Sequence, residues 1–261
     1  MKSLTKSLLL ATTVLAVLTA AAAVPEVAKL LVEKEVGEHV YMLKGHEGHG
    51  GTGFQVQTPS GTPVIMTNSH VCERASADGK SMLAVKGDKE MTRKILKIDN
   101  TADLCVVEGW PGDPGLKVGK DVKDGDAVTE IGHPGLNPLT TSRGEVQGRA
   151  DIDIMHHMMP TGQKGLDRFL DVSKQPCKGP KFEIHKKDTT MLGMFKIKEV
   201  PLCFVKEKDA VHVSNPTFPG NSGSPLVDKI GEVVGVIFAS DFEETGYAVN
   251  VDHLNKLLKD F

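Results

Sequence analysis

The serine in Pro219-Gly220-Asn221-Ser222-Gly223-Ser224-Pro225-Leu226 stands where a chain can turn sharply, because Gly220 and Gly223 tolerate backbone conformations that other residues avoid. Such a turn exposes the Ser222 hydroxyl. It also aims the backbone N–H groups of Gly220 and Ser222 at one point, which makes an oxyanion hole. Two upstream segments supply what a nucleophilic serine needs. Thr67-Asn68-Ser69-His70-Val71-Cys72 follows the apolar run Pro63-Val64-Ile65-Met66, and Asp99-Asn100-Thr101-Ala102-Asp103 leads into Leu104-Cys105-Val106-Val107. Acyl transfer needs a nucleophile, a base that takes its proton, and an acid that holds the base in one tautomer. In this order His70 is the candidate base, Asp103 the acid and Ser222 the nucleophile, with Asp99 as the rival acid. Asp103 is preferred because the apolar strand starts immediately after it, which favours a buried carboxylate at a strand edge.

These three segments resemble the catalytic motifs of trypsin-like serine proteases, and most of all the bacterial Deg-type (HtrA) branch. Two further stretches agree: Ile131-Gly132-His133-Pro134 through Thr141-Ser142-Arg143-Gly144-Glu145-Val146, and Gly231-Glu232-Val233-Val234-Gly235-Val236 with Gly246-Tyr247-Ala248-Val249. The match runs from about residue 40 to the end, apart from an insert. The resemblance implies an all-β fold of two six-stranded antiparallel β-barrels with the site between them. It implies a serine endopeptidase acting on proteins or peptides through an acyl-enzyme, with no cofactor, metal or nucleic acid. The departures are Ser224, where the family usually has a second Gly, and Cys105, where it has a small apolar residue. Glutamyl-endopeptidase relatives share Asn-Ser-Gly-Ser-Pro, so Ser224 does not signal lost activity. The chain ends soon after the last matching strand, so no PDZ domain is expected to follow.

Counting along the matched strands places Thr217, five residues before Ser222, in the wall of the S1 pocket. Ile237, Phe238, Ala239 and Ser240 form the opposing strand and Gly246 the far wall. Pro216 stands at the base position, which therefore lacks an acid for Arg or Lys, and Ile237 replaces the histidine of glutamyl endopeptidases. A small or medium apolar P1 residue is expected, since a charged one would be desolvated without a partner. Asp241, Glu243 and Glu244 at the rim are the main threat to that expectation.

The 261 residues suffice for one large domain or two small ones, and the formal net charge of -3 gives no sign of nucleic-acid or membrane-surface binding. Lys2 and Lys6, the apolar run Leu8 to Val17, and Ala20 to Ala23 read as a signal peptide over 1–23, cut at Ala23/Val24. The alternative is an uncleaved membrane anchor. Either way the protein crosses a membrane, and the expectation is a secreted or periplasmic protein, or a membrane-anchored one if the helix stays uncleaved. The protease domain then spans 24–261, with a first barrel at about 38–118, a crossover at Lys117 to Asp126, and a second barrel at 126–261. Val27 to Val36 reads as a lead-in helix and Val251 to Phe261 as a short C-terminal one, while short apolar runs between turn residues read as strands.

An insert at about 150–210 is longer than Deg-type proteases have there, and the pairs Phe182/Ile184 and Phe195/Ile197 suggest extra or extended strands. Cysteines in an exported chain suggest disulfides. Cys177 and Cys203 both lie in the insert and form one candidate bridge. The fold implied by the resemblance brings Cys72 and Cys105 together as a second, with two buried free thiols as the alternative. His46-Glu47-Gly48-His49 reads as a solvated hairpin rather than a metal site, and His156-His157 would point to opposite faces of a strand. Two rival functions remain: a binding protein that keeps the barrels without catalysis, and an α/β-hydrolase esterase. The esterase class runs Ser, acid, His and needs a parallel sheet, neither of which is present.

Overall fold

Alternation of apolar residues between turn signals builds thirteen strands among the residues described by the computed structural model, which are 26–45, 48–73, 80–156, 182–187, 200–240 and 245–261. The expected signal peptide, Cys177 and the rim acids Asp241, Glu243 and Glu244 lie outside them. No helix among the described residues is long and apolar enough to cross a membrane. Helix α1 covers residues 26–37, where a lead-in helix was expected.

The first barrel comprises β1 (Val40–Lys44), β2 (Gly50–Gln57), β3 (Pro63–Thr67), β4 (Ser81–Lys86), β5 (Lys89–Asp99) and β6 (Leu104–Glu108). It closes in the order β1-β2-β3-β6-β5-β4, with β1 pairing back onto β4. The short helix α2 (Ser69–Glu73) follows β3 directly. The second barrel comprises β7 (Ala127–Gly132), β8 (Thr140–His156), β10 (Val200–Val213), β11 (Pro225–Val227), β12 (Val233–Ser240) and β13 (Gly246–Asn250), closed by pairing of β10 with β13. All ladders within the two barrels are antiparallel. The final helix, α3 (Val251–Leu258), is capped by the Asn250 side chain, which accepts from the Asp252 amide at 2.9 Å.

The second sheet has a seventh strand beyond the expected six. Strand β9 (Phe182–Lys187) pairs with the outer edge of β10. Its origin lies in the insert: β8 and β10 continue together past the barrel, from Ala150↔Ala210 through an irregularity to His156↔Cys203. The added strand gives that extension a partner on its second edge.

Strands buried on both faces explain the near-continuous apolar runs. On β6, Cys105 and Val107 face the interior of the first barrel with Tyr41, Leu43 and Ile65. Leu104 and Val106, alternating with them, join a cluster shared by the two barrels and α3 through Phe54, Met66, Val236, Phe238 and Leu254. A third cluster, including Val128, Val211, Leu226 and Ile237, fills the second barrel. The barrels are thus seated on common apolar packing rather than joined only by the 117–126 crossover.

Cys72 on α2 and Cys105 on β6 form a disulfide across a sequence separation of 33, and both are fully buried. The bond ties the helix that carries His70 to the strand that follows Asp103. The Cys177–Cys203 pairing falls outside the described residues. Closing a loop of this length contributes about 3–4 kcal/mol in the chain-entropy account. Replacing both Cys72 and Cys105 by Ala should lower the unfolding free energy by roughly that amount in denaturant titrations of oxidised protein. An unchanged midpoint would show that the cross-link carries no stability.

Candidate active site

Asp103 is fully buried at the entrance to β6, with a positive φ of 49° that Asp tolerates better than most residues. Its carboxylate is surrounded by donors from α2. Oδ2 accepts from His70 Nδ1 at 2.8 Å, while Oδ1 accepts from the Ser69 hydroxyl at 2.8 Å and the His70 amide at 3.1 Å. The Asn68 side chain donates to the Asp103 carbonyl at 3.0 Å. Burial alone would raise this carboxyl. The charge and hydrogen bond of the His70 ring, with the His70 amide and Ser69 hydroxyl, hold it below the usual carboxylate range instead. Asp99, the rival acid, accepts from the amide and hydroxyl of Thr101 at 2.9 and 2.6 Å, a local turn contact.

Ser222 comes from the second barrel, on a loop gripped by Thr52 of β2. The Thr52 amide donates to the Ser222 carbonyl at 2.8 Å and its hydroxyl to the Gly220 carbonyl at 2.9 Å. The same hydroxyl accepts from the His133 amide at 3.0 Å, and the Thr52 carbonyl accepts from Thr67 Oγ1 at 2.7 Å. From behind, the Gly223 amide donates to the Ile237 carbonyl at 2.8 Å. Two glycines make the turn feasible. Gly220 has φ +96°, and a Cβ there would lie 2.5 Å from the Gly135 nitrogen and 2.6 Å from the His133 oxygen. At Gly223, φ is +88° and a Cβ would lie 2.1 Å from the Thr52 carbonyl.

The Pro219 carbonyl accepts from the Gly135 amide at 2.6 Å. In a trans peptide the next N–H points the opposite way, so Gly220 N–H turns away from Gly135. Neither the Gly220 nor the Ser222 amide donates to a backbone acceptor among the described residues.

His70 and Ser222 line one cavity of about 310 Å³. Gly48, His49 and Gly50 border it from the β1–β2 hairpin, and Gly135 and Leu136 from the turn after β7. His49, which reads as part of a solvated hairpin, thus faces the site, as does the Pro134–Leu136 turn; neither was signalled by residue type. The His133 ring is pushed down by burial, opposed by its contact with the Asn137 carbonyl at 2.9 Å.

The residues expected to form the S1 pocket do not border this cavity. The Ile237 side chain is fully buried in the second barrel and Phe238 lies in the cluster between barrels, because β12 is packed on both faces. Ala239 and Ser240 are partly exposed. Thr217 does adjoin Gly246, where a Cβ would lie 2.6 Å from Thr217 Oγ1. Behind Thr217 stands an acid that the motif reading missed: Thr217 Oγ1 donates to Glu130 Oε2 at 2.6 Å. The available signal was a glutamate placed mid-strand between Val128 and Ile131, where β7 is buried on both faces.

A family model described as Peptidase S46 matches residues 137–252, a span that holds Ser222 but neither His70 nor Asp103. Over 212 residues the chain is 26% identical to the serine protease Do-like HtrA of Bacillus subtilis strain 168, covering 78% of this chain and 37% of that protein. It is 23% identical over 219 residues to an HtrA-like serine protease of Staphylococcus epidermidis, covering 80% and 30% respectively. The chain spans about a third of the length of these curated relatives. Among solved structures, the active form of the Rv3671c protease of M. tuberculosis superposes with TM-score 0.58 at 21% identity, over 87% of this chain and 82% of that one. The HtrA-type protease AlgW with tripeptide gives TM-score 0.55 at 17% identity, over 88% and 62%. The chain has the two-barrel fold of trypsin-like serine proteases, and the relatives it resembles in sequence are serine proteases of the HtrA type.

Gly220→Ala should distort the turn that carries Ser222 while leaving both barrels folded, since backbone atoms at 2.5 and 2.6 Å cannot yield to a methyl group without moving the loop. We expect a loss of about 10²–10³ in kcat with near-native circular dichroism, the scale of removing one oxyanion donor. A variant with unchanged kcat would show that Gly220 N–H plays no part in turnover.

Proposed function

We propose that this protein is a serine endopeptidase that cleaves peptide bonds in protein or peptide substrates through an acyl-enzyme. The observation that carries the reading is the 2.8 Å bond from His70 Nδ1 to a buried Asp103, with the rest of that ring facing the cavity that Ser222 also lines. Held by Asp103 at Nδ1, the ring has Nε2 left to take the Ser222 proton as the hydroxyl attacks the scissile carbonyl. The amides of Gly220 and Ser222 receive the negative charge that develops on the carbonyl oxygen. The protonated His70, stabilised by Asp103, then gives its proton to the leaving amine. Water repeats the sequence against the acyl-enzyme, with His70 again the base.

The acyl side of the substrate lies toward Thr217, Gly246 and the edge of β12, away from the cavity between the β1–β2 hairpin and the 134–136 turn. A small or medium apolar P1 side chain suits that wall, because Glu130, the acid behind it among the described residues, is already engaged by Thr217 and shut off from solvent. Export through the basic, apolar and alanine-rich leader is part of this proposal, and HtrA-like relatives support it only by resemblance.

A fluorophosphonate probe tests the reading directly. Ser222 in the wild-type protein should gain the phosphonyl mass in peptide mapping, while Ser222→Ala and His70→Ala fold normally and stay unlabelled. For cleavage of a peptide library, Ser222→Ala should lower kcat by several orders of magnitude, with roughly 10³–10⁴-fold catalysis over water remaining. A folded wild-type protein that neither labels nor cleaves would favour a binding role for the same fold.

A further inference from the structure

Glu130 lies on β7 opposite Ser142 of β8 and Leu226 of β11, and is 1% exposed. Its side chain shares the interior of the second barrel with Val128, two residues earlier. Oε2 accepts from Thr217 Oγ1 at 2.6 Å, and the Asn221 side chain is the other group close enough to favour the charged carboxyl. Oε1 is buried with no partner among the described residues, and so are Asn221 Oδ1 and Ser224 Oγ. The latter two crowd Gly132, where a Cβ would stand 3.0 Å from Asn221 Oδ1 and 2.0 Å from Ser224 Oγ. Unpartnered polar atoms thus collect beneath the turn that carries Ser222.

A carboxylate can only accept hydrogen bonds, whereas the neutral acid also has an O–H to donate. Glu130 Oε1 and Asn221 Oδ1 both lack a partner among the described residues, and the O–H of the neutral acid adds a second donor to a cluster that otherwise has the Ser224 hydroxyl. Burial also disfavours the charged form, and nothing repays it: Ser142, Leu226, Thr217 and Asn221 face the carboxyl, and no charged group among the described residues acts on it. His133, three residues along the chain, turns its ring to the Asn137 carbonyl instead. Burial raises the Glu130 carboxyl from 4.5 to about 7, against the smaller opposing effects of the Thr217 and Asn221 hydrogen bonds.

We propose that Glu130 is a positioning residue for acyl transfer: as the neutral acid it couples Thr217, in the substrate wall, to Asn221, next to the nucleophile, and loss of its proton loosens that loop. The proposal rests on the serine-peptidase reading above. It gives the pH profile an alkaline limb, in which activity falls as Glu130 ionises.

The stability sign follows from linkage. The folded-state value lies above the unfolded one, so the folded protein holds a proton that the unfolded chain releases between 4.5 and about 7. This contribution is fully present below that window and lost as pH rises through about 7. Glu130→Gln keeps an acceptor for Thr217, gains a donor and cannot ionise. Its melting temperature should therefore gain on the wild type as pH rises from about 5 to about 8.

The experiment compares wild type, Glu130→Gln and Glu130→Ala in melting temperature and in kcat/KM from about pH 5 to about pH 9. We expect Glu130→Ala to lose activity at every pH and Glu130→Gln to rescue it, without the alkaline decline. The ratio of Gln-variant to wild-type kcat/KM should be about tenfold higher near pH 8.5 than near pH 6. Parallel pH profiles for the two proteins would overturn the positioning role. A melting-temperature difference that stays constant with pH would show that Glu130 holds no such proton and would overturn the proposal at its root. Fluorophosphonate labelling of wild type near pH 6 separates this failure from that of the peptidase reading. Without labelling or cleavage the peptidase reading falls and the positioning role with it, while the melting curves still report the Glu130 proton.

Discussion

Thr52 holds the two barrels in register, and the site exists only in that register. His70 and Asp103 belong to the first barrel, whereas Ser222 and the turn at Gly220 belong to the second. Thr52 spans the boundary with its amide on the Ser222 carbonyl and its hydroxyl between Gly220 and His133. Each hydrogen bond is worth only about 1 kcal/mol net. Their effect is geometric: all act on one loop, from a fully buried residue whose carbonyl is fixed in turn by Thr67. The apolar cluster shared by the barrels supplies the adhesion, being non-directional, and the Thr52 contacts supply the alignment.

Two buried acids on opposite sides of this boundary show how surroundings decide charge. Asp103 has a hydroxyl, a backbone amide and an imidazole on its carboxylate, and is held below the ordinary range despite complete burial. Glu130 has a threonine hydroxyl, an amide and an unpartnered oxygen, and is raised to about 7. The first acid is therefore held as an anion against the His70 ring. The second serves best as a neutral hydrogen-bonding group beneath the nucleophile loop. Helix α2 makes the first possible, since one short turn supplies Ser69, His70 and the disulfide partner Cys72 together.

The barrels and the positions of His70, Asp103 and Ser222 were legible because each depends on local sequence. Strand alternation marks the barrels, Gly220 and Gly223 mark the turn, and Asp103 abuts an apolar run. Contacts between distant segments were not legible. Thr52 sits in a glycine-rich strand whose chemistry is invisible until the second barrel is placed against it. Glu130 resembles any strand glutamate until both faces of β7 are seen to be covered. Ile237 and Phe238 were placed in the substrate wall by counting, but burial of both faces of β12 sends their side chains into the packing instead. The seventh strand was foreshadowed by the Phe182/Ile184 pair, though not its place on the edge of β10.

The account depends most on the claim that Asp103, not Asp99, fixes the tautomer of His70. Kinetics of Asp103→Asn and Asp99→Asn test it in one experiment, with folding checked by circular dichroism. Asn at 103 can keep the shape of the contact while favouring the wrong tautomer, so kcat should fall by about 10⁴-fold. Asn at 99 leaves the Asp103–His70 contact in place and should leave kcat within about twofold. The opposite order, or a fully active Asp103→Asn protein, would contradict the account.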